Sequence, residues 1–246
     1  MSLCAVYEPR YRRYVDLQKL PFDVVRVRDF LRIPYLYTIP DDFDKDTTDY
    51  AHDPIYQEDL RVDGELAKIS AQVAGFIFSR TGICIKDLQH IYKFNGVDGG
   101  IVKIVPSPTF AINSFVVDGV EAPIVFERDD DYFVDLGVNK FDTAQLDFSC
   151  GFNVTAETKY RNGNDFTATE DNGVPYTFWK PAYALPDMLI HLWDMLTDHF
   201  YQHRGITVVG TIVAKIPTSL DVLLQSVRSL APHDLYPTPD ALTYAP

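Results

Sequence analysis

Two stretches near the C-terminus decide the fold: LPDMLIHLWDMLTDHFYQHRG at residues 185–205 and IPTSLDVLLQSVRSL at residues 216–230. The first predicts a helix over residues 186–203, because its apolar residues recur every three or four positions and share one face. Those residues are Leu189, Leu192, Trp193, Leu196 and Phe200. The second stretch predicts a shorter, Leu-rich helix over residues 218–229. Neither helix contains a catalytic signature, so the pair is expected to be a scaffold.

Two earlier stretches show the same helical period. Residues 22–33 end before a proline, and their apolar face is formed by Val24, Val27, Phe30 and Leu31. Residues 58–80 are followed by Thr81 and Gly82, and glycine readily adopts the left-handed turn that ends a helix. The predicted core face of this second helix consists of Leu66, Ile69, Val73, Phe76 and Ile77. The chain is therefore expected to contain three to four packed helices.

Between the second and third predicted helices, the helical spacing of apolar residues gives way to short strand-like runs. Residues 83–152 contain short β-branched and aromatic runs separated by Pro-Ser-Pro, Asp-Gly, Leu-Gly and Cys-Gly, which predicts an inserted antiparallel sheet or set of hairpins. Residues 35–57 and 153–180 are polar and rich in turn residues, and both are interpreted as irregular loops. The predicted class is α+β and mainly α: a small helical bundle with a β insertion.

The two ends differ from the middle portion of the chain, residues 22–230. Residues 1–21 form a Tyr- and Arg-rich arm, of a kind usually flexible or docked on a partner. Residues 231–246 contain four prolines and are expected to be an extended tail. Its apolar and aromatic side chains are candidate anchors for docking on another protein. These are Leu235, Tyr236, Leu242 and Tyr244.

Composition limits the function classes. The chain has 246 residues, of which 46% are hydrophobic and 23% charged, as in an ordinary folded protein. No apolar run approaches the ~18 residues that span a bilayer, so no membrane partner is expected. The three cysteines, Cys4, Cys84 and Cys150, are widely scattered without a metal-binding spacing. They are interpreted as thiols in a reducing compartment, and no cofactor is predicted.

The net charge of −13 weighs against tight binding of DNA. Phosphate binding depends on Lys and Arg, and the chain has 22 of these against 35 carboxylates. An acidic surface would instead let DNA slide past without sticking. Solubility alone explains the same charge equally well.

A zinc site is one chemical hypothesis for the C-terminal helices. His199 and His203 have the i, i+4 spacing of a zinc-binding helix, but Phe200 occupies the position where a zinc protease has its general base. A third ligand would have to come from elsewhere, such as His191 or Asp198. The favoured interpretation is an edge of a packed helix with no metal.

A calcium loop is a second hypothesis, for the loop at residues 35–57. Asp42, Asp44 and Asp46 alternate as in a calcium-binding loop, but the sixth position is Thr47 where glycine is needed, and the twelfth is Asp53 where glutamate is usual. A polar surface loop explains the same residues. Gly-x-Ser-x-Gly, Walker and Gly-x-Gly-x-x-Gly motifs are absent, so an enzyme would need a site assembled from scattered residues.

Five short motifs, taken in order, resemble those of the head-tail adaptor (connector) proteins of tailed bacteriophages. Each motif alone is a packing or capping signal, and their order carries the resemblance. They are Asp29–Ile33, Arg80–Gly82, the segment from Pro106 to Phe152 that opens on prolines and closes on a strand plus glycine, Asp198–Arg204, and Pro217–Arg228. The resemblance covers most of residues 22–230. The arm and the loops at 35–57 and 153–180 look like additions.

The resemblance implies a structural role without enzymatic activity. Such adaptors form a homo-oligomeric ring, usually of twelve copies, under the portal of the capsid. The ring extends the DNA channel and joins the head to the stopper or tail. The implied partners are further copies of this chain, the portal protein and stopper or tail proteins, while genomic DNA passes without specific binding. The implied location is the virion neck, after assembly in the host cytoplasm, and the tail after residue 230 is the candidate portal-docking element.

Two interpretations from other classes stay open at this stage. A hydrolase with a scattered active site predicts a deep pocket with converging polar groups. A carbohydrate- or protein-binding module built on the β region predicts a monomer with exposed aromatic side chains on its sheet. Particle mass separates these from a ring.

Overall fold

The computed structural model describes residues 11–40, 50–98, 101–103, 108–122, 133–135, 140–182, 184–203 and 218–228. The class is α+β, and both helices and strands are well represented among the described residues. The α-helices are α1 (Val24–Leu31), α2 (Pro54–Thr81), α3 (Asp187–Gln202) and α4 (Thr218–Arg228). The strands are β1 (Tyr11–Lys19), β2 (Asp87–Asp98), β3 (Ile101–Lys103), β4 (Thr109–Val117), β5 (Val120–Glu121), β6 (Phe133–Asp135), β7 (Lys140–Cys150), β8 (Val154–Arg161) and β9 (Val174–Pro181).

Helix α1 begins at a side-chain cap. The Asp23 carboxylate accepts hydrogen bonds from the N–H groups of Val25 and Arg26, two donors that no helical carbonyl can reach. Val24 and Val27 are buried as predicted, whereas Phe30 is 42% exposed. The predicted core position of Phe30 is therefore wrong.

Helix α2 begins four residues before the predicted start at Glu58. The Asp53 carboxylate accepts from the N–H groups of Ile55 and Tyr56, and proline at the first helical position suits the start of a helix. The helix ends as predicted: Gly82 has φ +78°, and its N–H donates to the Phe78 carbonyl.

One core is formed mainly by helices. Helix α2 packs against α3 and α4, and α1 contacts α2 and α3. All five predicted core residues of α3 are buried. The cluster also takes in the connection from α2 to β2 and the start of β8, so it continues toward the sheet.

A second core lies under a five-stranded antiparallel sheet with the order β1-β2-β7-β4-β5. The antiparallel insertion predicted over residues 83–152 is present, but the sheet takes its first strand from outside that range. Residues 11–19 of the predicted arm form β1, which pairs with β2 from Tyr11 opposite Lys93 to Lys19 opposite Asp87. A terminal segment that supplies backbone donors and acceptors to a sheet edge is not a free arm. The short strands β3 and β6 pair separately.

The irregular loop predicted over residues 153–180 is wrong. Strands β8 and β9 form a two-stranded antiparallel hairpin, from Val154 opposite Pro181 to Arg161 opposite Val174. The turn-rich residues that suggested a loop fill only the connection between the strands. Only three of the sixteen strand residues are buried, and burial does not alternate regularly along either strand as it does in a half-buried strand.

No helix among the described ranges is long and apolar enough to cross a membrane. The extended tail predicted over residues 231–246 lies outside the described residues.

Candidate assembly surface

A buried ionic network centred on Asp59 joins four separate segments. Asp59 lies on α2 and is 1% exposed. Its carboxylate accepts hydrogen bonds from the backbone N–H groups of Leu36 and Tyr37 at 3.2 and 3.0 Å. The same carboxylate pairs with Arg28 of α1 at 3.3 Å and with Arg161 of β8 at 3.4 Å. One side chain thus fixes both helices, the segment after α1 and the hairpin.

Arg28 is almost fully hydrogen-bonded inside this network. Its Nε donates to Asp63 Oδ1 at 2.7 Å, its Nη1 to the Pro34 carbonyl at 2.9 Å and its Nη2 to the Asp59 carbonyl at 2.8 Å. A buried guanidinium without such partners would carry a large desolvation cost. The arrangement therefore locks the end of α1 onto α2.

The Tyr35 ring lies between the two buried arginines. The guanidinium carbons of Arg28 and Arg161 lie 3.9 and 3.6 Å from its centroid, within the range of cation–π attraction. The Tyr35 N–H donates to Asn164 Oδ1 at 3.0 Å. Residues 35–40, which the sequence predicts to begin an irregular loop, are therefore held firmly against α2 and the hairpin connection.

Burial shifts the pKa of Asp63 and of Tyr35 in this network. It raises the pKa of Asp63, although Arg28 acts in the opposite direction. Burial also raises the pKa of Tyr35, with a further increase from the Asp63 charge. The network is thus costly to form and depends on its partners staying in place.

The sequence held one signal for this network. Asp59 and Asp63 lie four residues apart on α2, in phase with Leu66, Ser70 and Val73 further along the same face. Carboxylates in phase with an apolar stripe indicate buried charge that needs cationic partners. The partners Arg28 and Arg161 lie 31 and 102 residues away in sequence, and nothing local points to them.

Exposed apolar side chains concentrate on the segments that this network joins. Eight large hydrophobic residues are exposed among the described ranges, and five of them lie on α1, the following segment, the first half of α2 or the hairpin connection. We call these five the apolar surface: Phe30, Leu36, Ile55, Leu60 and Phe166. Leu36 is the most exposed of them, at 61%. Exposed apolar side chains on segments that buried contacts hold in place are candidates for a protein contact.

The histidine pair at the end of α3 does not gather a zinc site. The rings of His199 and His203 are 4.4 Å apart, and His203 Nδ1 lies 2.8 Å from the His199 carbonyl oxygen. Within the described ranges, the group of metal-ligating side chains close enough to share an ion is a different one, and it contains neither histidine. Burial lowers the pKa of His199, and His203 lowers it further.

The other sequence candidates lie mostly outside the described residues. Asp42, Asp44, Asp46 and Thr47 of the calcium hypothesis belong there, and Asp53 serves as the cap of α2. The candidate portal-docking residues also lie outside. They are Leu235, Tyr236, Leu242 and Tyr244.

Comparison with solved structures finds the same fold in chains from virus-like particles. One chain, from "Neck of empty GTA particle computed with C6 symmetry", matches with a TM-score of 0.50 and 15% sequence identity, covering 89% of this chain and 96% of that one. A chain from "Virion of native gene transfer agent (GTA) particle" matches with a TM-score of 0.50 and 13% identity, covering 88% and 95%. No protein-family model matches the sequence, and no curated protein does. At such identities the likeness establishes a shared fold.

Proposed function

We propose that this chain is a head-tail adaptor: a structural, non-enzymatic virion protein whose copies form a ring at the neck of a tailed-phage-like particle. The observation that carries the proposal is the extent of the fold likeness. It runs over 89% of this chain and 96% of a chain from a particle neck, so it is not confined to one common motif. The ordered motifs of the sequence point to the same role independently of that comparison.

Ring formation needs a surface that contacts a different surface on the next copy, and the contacts must close. The apolar surface suits one side of such a contact, because the Asp59 network holds its segments in fixed relation. A preorganised surface loses little conformational entropy on binding. We assign its occupant as the neighbouring copy in the ring.

The ring is proposed to lie under the portal, to extend the DNA channel and to present a platform for the stopper or tail. The net charge of −13 is compatible with DNA that passes without specific binding. The copy number is taken from the family resemblance as twelve.

A first prediction concerns assembly. Mass photometry and negative-stain imaging of the chain mixed with its cognate portal protein are expected to show one ring per portal. Leu36→Asp is expected to reduce ring occupancy at least tenfold, since a charge would be desolvated in the contact. Val222→Asp is the matched control, because Val222 is similarly exposed at 57% but belongs to α4, which carries none of the five residues. A chain that stays monomeric with its portal would contradict the adaptor role. Equal assembly by both variants would contradict only the assignment of the surface.

A second prediction concerns the tail. Deleting residues 232–246 is expected to abolish portal binding while leaving the fold intact, because we assign the anchors to this segment. Substituting Tyr236 and Tyr244 with serine is expected to weaken binding in the same direction. Affinity is measured by biolayer interferometry on immobilised portal, with circular dichroism as the folding control. Undiminished binding by the deletion variant would rule out the tail as the docking element.

A further inference from the structure

Three metal-ligating side chains that are far apart in sequence meet in the sheet core. Cys84, His90 and Cys150 each offer one ligand atom, and these atoms all lie within 4.8 Å of one another. All three residues are buried, with exposures of 1%, 4% and 0%. The scattered cysteine spacing in the sequence gave no indication of this cluster.

Each of the three residues lies on a different segment of the chain. Cys84 lies in the connection between α2 and β2, His90 on β2 and Cys150 at the end of β7. Leu88 is directly opposite Cys150 and His90 is opposite Phe148, so His90 and Cys150 are diagonal neighbours on one face of the sheet. Regular strand pairing therefore sets two of the three ligands.

The histidine ring is held in a fixed orientation. It stacks on Phe148 with a centroid distance of 5.2 Å and an interplanar angle of 14°. The rings of Phe78 and Tyr92 meet it edge-on. A ligand whose rotamer is fixed by packing loses little entropy when it binds an ion.

The two sulfurs are already in contact. The Sγ atoms of Cys84 and Cys150 are 3.2 Å apart, and Cys150 Sγ lies 3.6 Å from the Leu88 carbonyl oxygen. Burial alone would raise the pKa of the Cys150 thiol, but its hydrogen bonds with Cys84 and His90 outweigh this and lower the pKa to about 7. Burial raises the pKa of Cys84.

We propose that Cys84, His90 and Cys150 form a structural site for one thiophilic divalent cation, Zn²⁺. Two thiolates and an imidazole are donors that Zn²⁺ prefers, and the ion commonly takes four ligands in a tetrahedron. With Zn–S bonds of about 2.3 Å, the sulfurs would lie about 3.8 Å apart, which requires only a small separation of the two thiols. Binding releases both thiol protons, and an oxygen donor, a water molecule or the Leu88 carbonyl, completes the fourth position.

The position of the site indicates what the ion would do. Cys84 packs in the core under the sheet, whereas its neighbours Ile83 and Ile85 pack in the core formed mainly by helices. Likewise, Cys150 packs in the core under the sheet and Phe152 in the core formed mainly by helices. An ion at this point would tie the connection after α2 to β7 where the two cores meet. The site does not depend on the proposed role in the neck.

The test uses the purified full-length chain. After reduction and chelation it is titrated with Co²⁺ and then Zn²⁺, and one equivalent of Co²⁺ is expected to give near-ultraviolet thiolate charge-transfer absorption that Zn²⁺ abolishes. Cys84→Ser and Cys150→Ser are expected to weaken binding at least a hundredfold and His90→Gln at least tenfold. Cys4→Ser is the matched control and is expected to bind as the wild type does. Zn²⁺ is expected to raise Tm for the wild type and the control alone.

Two results would overturn the site. One is a folded, reduced wild-type chain that shows no thiolate absorption with Co²⁺ and no rise in Tm with Zn²⁺. The other is a thiol titration of the chain, purified without reductant and then denatured, that yields one free thiol where three are expected. That count would mean that at least one of Cys84 and Cys150 is held in a disulfide, so the two thiolates of the site could not both bind an ion. Both measurements use the wild type, so they decide the matter even where a ligand variant fails to fold.

Discussion

Replacing Asp59 with asparagine is expected to lower the free energy of unfolding by about 3–5 kcal/mol. The substitution keeps the shape of the side chain but removes the negative charge between Arg28 and Arg161. The asparagine side chain also has an NH2 group where Asp59 has a second carboxylate oxygen. This NH2 group cannot accept the hydrogen bonds that Asp59 accepts from the N–H groups of Leu36 and Tyr37. Urea unfolding followed by circular dichroism measures the loss.

The expected loss of stability is large because Asp59→Asn leaves buried guanidinium groups without their carboxylate partner. Asp59 is 1% exposed and Arg161 is 1% exposed, so water cannot replace the lost partner. The double variant Asp59→Asn, Arg161→Met removes the uncompensated cation as well. It is expected to lose less stability than the sum of the two single variants, because residues in contact do not contribute additively.

Arg61→Met provides the control for Asp59. Arg61 lies two residues further along α2 and pairs with Glu58 and Glu65, but all three side chains are well exposed. Solvent screens such pairs, so the urea midpoint is expected to be unchanged. If Asp59→Asn proved as neutral as Arg61→Met, the network would not be what holds residues 34–39 in place. The apolar surface would then lose its rigid base.

The helices were predictable from sequence because their signals are local. Periodic apolar residues on α3 and a glycine after α2 act within a few turns, and the structure places both as expected. The hairpin β8–β9 was not predicted, because the turn residues of its connection dominate that stretch of sequence and only three of its sixteen strand residues are buried. The pairing of β1 with β2 was missed for a different reason: it joins residues 68 to 82 positions apart, and neither strand identifies its partner.

The candidate sites likewise combine features with a local sequence signal and features set by long-range packing. The phase of Asp59 and Asp63 on α2 was readable, whereas their arginine partners are set by tertiary packing. The cluster of Cys84, His90 and Cys150 depends on strand register, which brings His90 and Cys150 together across β2 and β7. Register is fixed by the whole sheet, so a spacing rule applied to the sequence could not find it.

Gly151→Ala is expected to destabilise the chain by about 3 kcal/mol or more, combining backbone strain with crowding. Gly151 has φ +121°, a conformation that residues with a Cβ rarely adopt. An added Cβ would overlap the Asp87 carboxylate and lie 2.8 Å from Asp87 Cα, which is backbone and cannot rotate away. The Asp87 carboxylate accepts from the N–H groups of Asn153 and Val154 at 3.0 and 2.8 Å, so moving it would also break the start of β8.

Two further glycines separate strain from crowding. Gly75 lies in α2 with no atom within 4 Å of a Cβ, and Gly75→Ala is expected to stabilise the helix by about 0.5–1 kcal/mol. Gly119 has φ +83° and equally open surroundings, so Gly119→Ala carries strain alone and is expected to cost about 1 kcal/mol. Of these three glycines, Gly151 alone combines strain with crowding, so the three variants should unfold at clearly different urea concentrations. If Gly151→Ala cost no more than Gly119→Ala, the close approach of the chain to Asp87 would have no energetic weight. The packing of β7 and β8 around that carboxylate would then need another explanation.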